Sequence, residues 1–597
     1  MWPFSSYPVY SPSDVQGKTY DYVIVGGGTA GCVVAARLSE DPGASVLVID
    51  KGHVRDNMVS RIPLVSQNMF LGDLLQVQGD RWTEPMPGAN RRRNRLWAVE
   101  GIGGASCMNA MLWTPHPGSK ARGHEGPIEM RRVTFPFAWT EYFRKAAQEL
   151  GLRTGKDIND PVAAPALGFF DLDVAIDGRG NRISALTAYL NKEVVWQRRD
   201  RLTVCTGGVA SRLEADAKTG IVTGVHIRSS DNTDGEFLVK ARREVIICAG
   251  AACTPQLLLL SGIGPAASSE KHGIPLIKEL PGVGATLSDH YSTPIMLEVP
   301  KKEAFHLLES VLGIWHFLLW LVFGKGYMSI GSMSSTMYLR SGAVNKTTMQ
   351  IQDRDDAGRD NQDASLSRNV PDIEIMLMPN SAVEREVKGR TLMSIYPTLV
   401  QPRGSGRVEL ASTDALAQPW MTYPMFTNEH DISTARLAVR FSMRLAEKLQ
   451  NSDYPYPAKL VFAPGQDGAA LEEWEKAAPV DYLPIPMPLP PSVQAHPSPQ
   501  DAPKSKEAVS GEDETWRTWS TVTDDEIDDY MKRVSHTSLH FSGTCPMSND
   551  EKTGVVDQQL PVYGFTNLRI ADTSVFPKIP SCHTMAPVMA VAEDVPS

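Results

Sequence analysis

The 597-residue sequence predicts an α/β protein with a dinucleotide-binding core, and three observations carry that expectation. Residues 21–25, DYVIV, form a β-branched run that leads directly into Gly26-Gly27-Gly28-Thr29-Ala30-Gly31; a helical stretch from Cys32 follows, then an apolar run from Val46 to Ile49 that closes on Asp50. A second strand-rich region, Leu202 to Ile247, alternates LTVCTGGV, GIVTGVHIRS and EVIICAG with turn signals and passes at Gly250 into a helical TPQLLLLSG. Leu568 to Ala571 reads as one more strand near the C-terminus. Three segments of one domain are therefore scattered along the chain, and the stretches between them form another.

The glycine spacing has a mechanism. Gly26 permits the tight turn after the strand, Gly28 lets backbone approach a pyrophosphate, and Gly31 allows close packing of helix on strand. The helix N-terminus, at Thr29 and Ala30, attracts the anion. Asp50 ends the second strand with a carboxylate able to accept from ribose hydroxyls, and it disfavours a 2′-phosphate because two anions would face each other. An adenine dinucleotide is expected; the motif alone does not choose between FAD and NAD.

Composition narrows the function classes. With 42% hydrophobic and 21% charged residues and a net charge of −10, the chain has the make-up of a globular protein. Its acidic balance argues against a surface built to hold nucleic acid, and the basic run Arg91 to Arg95 reads as a solvated loop. Seven cysteines in so long a chain do not make a disulfide framework, and their apolar or Gly-rich settings predict burial. The start, Met1-Trp2-Pro3-Phe4, lacks the basic and apolar regions of a secretory signal, so a cytoplasmic location is expected, with secretion left open. Val311 to Phe323, VLGIWHFLLWLVF, is too short to cross a bilayer of about 30 Å. It reads as a helix buried in the core or at a subunit contact, or else as a lipid-facing or channel-lining surface, and membrane association is not expected. The insert 479–503 carries nine prolines, which exclude helix and central strand; it reads as an exposed extended linker, and 353–363 as a polar loop.

Further motifs bear on the choice of cofactor. Gly101-Ile102-Gly103-Gly104-Ala105-Ser106-Cys107-Met108-Asn109-Ala110-Met111 resembles the first signature of the glucose-methanol-choline (GMC) oxidoreductases, a family of FAD enzymes, and Gly250 to Gly264 fits its second signature. Leu280-Pro281-Gly282-Val283-Gly284, closing on Asp289-His290, and the blocks His540 to Met547 and Asn567 to Ala592 resemble further stretches of that family in the same order. The resemblance implies α/β and α+β architecture: a discontinuous Rossmann-like FAD-binding domain (1–115, 200–295 and 535–597) and a substrate domain (116–199 and 296–534) built on a large antiparallel sheet flanked by helices. It also implies that the backbone of Asn109, Ala110, Met111 and Leu112 lies beside the isoalloxazine, Val209 near the adenine, and Asp572 near the pyrophosphate or ribityl chain, with Ala105 also binding the cofactor. Two departures stand out. Where some members attach flavin covalently through histidine, this chain has Met108, so FAD is expected to be non-covalent. The chain also stops at Ser597, where the resemblance leads one to expect a longer final helix.

Oxidising an alcohol with a flavin requires a proton acceptor while hydride leaves for flavin N5, and histidine titrates in the right range. The resemblance places the family's base at His540 and the second catalytic residue at His583, which would hydrogen-bond the substrate oxygen or share the proton. A helix beginning at Thr584 and Met585 would point its N-terminus at flavin N1 and O2. His536, four residues before His540, would share a helix face with it, an arrangement that permits a metal; no carboxylate stands nearby in a zinc-protease arrangement and the family implies no metal, so His536 reads as structural or as lining the entrance.

The leading reading is an FAD-dependent oxidase or dehydrogenase of a primary or secondary alcohol, apolar or aromatic like the substrates of fungal aryl-alcohol oxidases that the chain resembles, with O2 or a quinone as electron acceptor and a monomer or homodimer as the working form. One alternative is a non-redox lyase or cyclase that keeps FAD as scaffold and uses the histidine pair as acid and base. Another is a flavin-binding interaction protein without catalysis, acting through the Pro-rich insert.

Overall fold

The computed structural model describes residues 6–67, 74, 76–79, 81–113, 125–155, 167–232, 235–352, 370–382, 387, 389–466, 468–476 and 517–595. The Pro-rich insert 479–503 and the polar loop 353–363 lie outside the described residues.

The β-branched runs assemble into a seven-stranded sheet in the order Leu202–Thr206, Val46–Asp50, Thr19–Val25, Glu236–Ile247, Ile221–Ser229, Gly208–Asp216, with Leu568–Ile570 pairing beside the end of Glu236–Ile247. Pairing is parallel from Leu202–Thr206 through Glu236–Ile247 and to Leu568–Ile570, whereas the two strands that follow form an antiparallel meander. Val23, Ile24, Val46, Leu47, Val48, Ile246 and Ile247 are wholly buried. Their unbroken apolar runs are what a parallel sheet covered on both faces demands. Parallel strands all end at one edge, so Gly26, Asp50, Gly208, Gly250 and Asp572 converge there although up to several hundred residues separate them in sequence. The helix Thr29–Leu38 opens directly after the glycine turn, and Gly250–Leu260 opens after Ile247.

A second, nine-stranded sheet runs Lys459–Phe462, Ile295–Glu298, Leu392–Leu399, Ile373–Met378, Ser335–Leu339, Gly168–Asp171, Thr154–Gly155, with Tyr291–Ser292 pairing both Leu392–Leu399 and His536–Thr537. In Ile373–Met378 the pleat sets Glu374, Met376 and Met378 on one face, opposite Thr398, Tyr396 and Ser394 of the neighbouring strand. Ile373, Ile375 and Leu377 are left for the other face, where the helix Glu429–Gln450 packs with Leu437, Ala438, Phe441 and Leu445 buried.

Two expectations change. Val311–Phe323 is a helix, but it is not buried in the core: Gly313 and Trp320 are its only buried residues. Burial of such a run depends on what covers it, and among the described residues nothing covers most of this one. His536 and His540 do not share a helix face, because His536 belongs to the short strand His536–Thr537 and Leu539 between them takes a left-handed φ of 61°. The cysteines behave as their settings suggest: Cys32, Cys107, Cys205, Cys248 and Cys545 are buried, Cys253 and Cys582 partly so, and all seven are free thiols.

Candidate active site

A cavity of about 1020 Å³ lies between the two sheets. One end is the glycine cradle at the parallel-strand edge, and the other is the face of the second sheet that carries Met376, Met378 and Tyr396. Gly26, Gly28, Thr29, Ala30, Asp50, Ala105, Asn109, Ala110, Leu112, Val209, Asp572, Thr584 and Met585 all line it, together with His540 and His583.

Each wall residue is placed by a local cause. Gly26 has φ 101°, and a Cβ there would sit 2.4 Å from the Cys248 carbonyl oxygen. Above Gly28 the nearest atom to a built Cβ is Gly104 Cα at 4.0 Å, so a ligand is free to approach the backbone. The Asp50 carboxylate accepts from Gly27 N (2.8 Å) and Gly52 N (2.9 Å), and burial nevertheless raises it to about 6. Asp572 accepts from Gly250 N (2.8 Å), Thr254 Oγ1 (2.6 Å) and Ser574 N (2.8 Å). It thereby ties the last strand to the N-terminus of Gly250–Leu260, and burial pushes its carboxyl upward. Two site residues of the sequence stand behind the wall. Gly31 lies under the turn, a built Cβ falling 1.9 Å from the Gly26 carbonyl oxygen, and Met111 is wholly buried with a left-handed φ of 59°.

The 105–110 loop is held from behind by Arg182, a residue that no motif announced. Its buried guanidinium donates to Ser66 Oγ (2.7 Å), Ser106 O (3.0 Å), Asn109 Oδ1 (2.9 Å) and Asn109 O (2.6 Å), and burial lowers it to about 9. The same Asn109 Oδ1 accepts from Met111 N at 3.0 Å, so the loop's shape is fixed before any ligand arrives. Met108 lines the cavity, and its thioether cannot form the histidyl bond that some flavoenzymes use. The bare glycine cradle, the carboxylate at the strand end and the size of the cavity fit an adenine dinucleotide as large as FAD.

Deep in the cavity His540 and His583 stand with ring centroids 5.3 Å apart and planes nearly perpendicular, at 88°. His540 N donates to Asp289 Oδ1 (2.7 Å), and His540 Nδ1 meets His290 Nδ1 at 2.9 Å. Asp289 also accepts from Tyr423 Oη (2.6 Å) and from Thr537 Oγ1, and burial raises its carboxyl to about 7. His583 Nε2 meets Glu374 Oε1 at 3.2 Å, and Thr336 Oγ1 donates to the same oxygen at 2.9 Å. Burial raises the Glu374 carboxyl, but the adjacent His583 and these hydrogen bonds bring it below its ordinary value. For His540, burial and then the neighbouring His583 lower the imidazole to about 3. His536 also lines the cavity, its Nε2 2.9 Å from Tyr396 Oη. The sequence offered a signal for Glu374, a lone carboxylate in the strand IEIMLM, and for Asp289-His290, which close a family stretch; it offered none for Arg182.

Comparison with known proteins agrees with this architecture. Two family models described as GMC oxidoreductase match residues 124–292 and 402–592, and one described as an NAD(P)-binding Rossmann-like domain matches 24–54. Dehydrogenase str4 of Strobilurus tenacellus is 28% identical over 96% of this chain and 93% of its own length. The oxygen-dependent choline dehydrogenase of Pseudomonas syringae pv. tomato is 25% identical over 96% and 92%. Among solved structures, formate oxidase superposes with a TM-score of 0.74 at 22% identity, covering 97% of this chain and 98% of that one. A fungal aryl-alcohol oxidase does so with a TM-score of 0.71 at 20% identity over 96% and 98%. Sequence motifs, sheet order and these matches coincide: the chain belongs to the GMC oxidoreductase family of FAD-dependent oxidoreductases.

Proposed function

We propose that this enzyme oxidises the CH–OH group of an apolar or aromatic alcohol, with His540 as general base, His583 holding the substrate oxygen, and FAD bound without a covalent link. The observation that carries the reading is the perpendicular pair of imidazoles opening onto the cavity that the glycine cradle shares. Bound FAD supplies the acceptor for the hydride that leaves the carbinol carbon.

The protein's own part is to hold and move the proton. His290 Nε2 is buried without a well-formed hydrogen bond, and the acceptors acting on its ring are the carbonyls of Val400 and Pro580. That arrangement favours a proton on His290 Nε2, assigned here from its partners. Nδ1 of His290 then accepts from His540 Nδ1–H, which leaves the lone pair on His540 Nε2 to take the hydroxyl proton. The Glu374 carboxylate orients His583 and stabilises the charge that gathers on it when it binds the developing alkoxide.

Phe305, Met376, Met378 and Tyr396 line the substrate end, which suits an apolar alcohol better than a sugar that needs many polar partners. The choline dehydrogenase and the aryl-alcohol oxidase among the similar proteins are, by name, enzymes of alcohols, in keeping with this reading. Adding benzylic, allylic, aliphatic and sugar alcohols anaerobically tests it: bleaching of the flavin absorption by the first three and not by sugars is expected. Product formed with an unchanged flavin spectrum would turn the reading towards the lyase or cyclase alternative. Peroxide release compared with reduction of a quinone dye separates oxygen from a quinone as acceptor. Denaturation is expected to free all the FAD into the supernatant.

A pH profile follows from the depressed imidazole. A base at about 3 stays neutral through pH 6.5, where free imidazole titrates, so the limb of kcat/KM that belongs to His540 is expected only at more acid pH, separate from any step that Asp289 contributes near 7. His583→Asn removes one of the two causes of the depression. In that variant the acid limb should move upward towards 6.5, and a limb that stays in place assigns the depression to burial alone.

A further inference from the structure

We propose that the Val311–Phe323 helix docks the enzyme onto an anionic phospholipid surface beside the mouth of its cavity. Fourteen large hydrophobic side chains are exposed among the described residues, and eight of them belong to this helix. Val311 is 79% exposed, Val322 66%, Phe323 65%, Ile314 65% and Trp315 56%. The helix is fixed to the protein on one narrow stripe. Trp320 Nε1 donates to Gly180 O at 2.9 Å, and His316 Nδ1 accepts from Tyr327 N at 3.3 Å. The remaining directions present an apolar surface to solvent, which on a globular protein marks a contact site.

Charge decides the partner. The chain carries −10 overall, yet residues 311–325 hold no carboxylate, and Lys325 and Arg179 stand exposed at the C-terminal end of the helix. The Arg179 carbonyl abuts Gly324 at the helix C-terminus, where the nearby carboxylates Asp177 and Glu129 accept from the backbone N–H groups of Arg179, Asn181 and Gly178, while at the other end the exposed Glu309 lies 3.0 Å from His306 Nδ1. A basic end beside an apolar, Trp- and Phe-bearing face complements anionic headgroups above acyl chains. The helix has 13 residues, too few to span, so it lies in the plane of the interface. Phe305 before it and Ser332 and Met333 after it line the cavity, and the His316 ring meets Tyr327, which meets Phe305. Docking therefore brings the apolar end of the cavity next to the bilayer. Delivery of a membrane-dissolved alcohol rests on the function proposed above; docking itself does not.

The FAD-loaded, full-length protein is co-sedimented with vesicles of phosphatidylcholine alone and of phosphatidylcholine with phosphatidylserine, beside an Ile314→Glu/Leu318→Glu/Val322→Glu variant. These three positions form one exposed stripe and bear no hydrogen-bonding role, so the variant should keep its melting temperature and its turnover of a water-soluble alcohol. Wild-type protein is expected to pellet with the anionic vesicles at least about tenfold more than the variant, and less as salt rises. Wild-type protein that stays in the supernatant with both vesicles overturns the proposal. So does a wild-type dimer in sedimentation equilibrium that the variant converts to monomer, because the face is then covered by a second copy. Sedimentation is read without turnover, so its outcome is separable from that of the alcohol assay.

Discussion

His540→Ala is expected to slow anaerobic flavin reduction by about 10²–10⁴-fold, the range a positioned acid–base side chain contributes. The substitution is well isolated. The backbone N–H that donates to Asp289 is retained, and so is the carbonyl that accepts from Ser542 Oγ, so the turn keeps its two backbone bonds. What is lost besides the imidazole is the partner of His290 Nδ1, and leaving a buried polar nitrogen unpaired costs about 1–3 kcal/mol. A modestly lower melting temperature with undiminished FAD content should therefore accompany the loss of rate. Stopped-flow reduction at saturating alcohol separates the two effects, since a folded, flavin-loaded variant that does not bleach has lost chemistry and not structure. A variant that reduces its flavin at the wild-type rate sinks the assignment of His540 as base. His583→Asn is expected to act more mildly, because an amide still donates to the substrate oxygen.

The parts of the site that were legible in sequence are those whose physics is local. The glycine turn, its flanking strand and helix, and Asp50 fall within thirty residues, and their spacing alone encodes the strand-turn-helix geometry. Thr584 was readable as a helix start for the same reason, and Met585–Asp594 begins there. Residues whose role depends on distant partners were not legible. Arg182 acts on Ser66, Ser106 and Asn109, and Glu374 acts on a histidine more than two hundred positions away. Nothing in the local pattern of GRGNRIS or IEIMLM states which loop will fold against it. The antiparallel sheet was expected from family resemblance, because its strands are short and lie far apart in sequence. The Val311–Phe323 run shows the opposite limit: hydrophobicity correctly specified a helix, but the expectation of a core position failed because burial is a property of neighbours. At Leu539 and Met111 left-handed backbone flanks His540 and lies within the Asn109–Leu112 segment, in side chains that ordinarily avoid it, so local preference there points away from the conformation the fold adopts.

Gly31→Val is expected to abolish flavin binding altogether. The first β-carbon alone would fall 1.9 Å from the Gly26 carbonyl oxygen and 3.0 Å from its carbon, and both are backbone atoms of the turn that forms the cradle. Neither has freedom to withdraw. Gly26 N is bonded to Ile49 O at 2.8 Å, and the Gly28 carbonyl accepts Cys32 N at 3.0 Å as the first turn of the helix. On its far side the same β-carbon would meet Cys248 Cβ at 3.4 Å, so the helix cannot slide away without opening the contact with the end of Glu236–Ile247. Overpacking in a core ordinarily costs about 1–3 kcal/mol, relieved by side-chain movement. Here relief requires displacing the Thr29–Leu38 helix, whose N-terminus lines the cavity. The purified variant should be colourless, with a lower melting temperature that added FAD does not raise. Gly342→Val is the matched control, because a β-carbon there meets no atom within 4 Å; it should remain yellow and active. Should Gly31→Val retain stoichiometric FAD and an unchanged melting temperature, close packing of helix on strand would not be what assembles the cradle, and the third glycine would have to be explained by the flavin's own contacts.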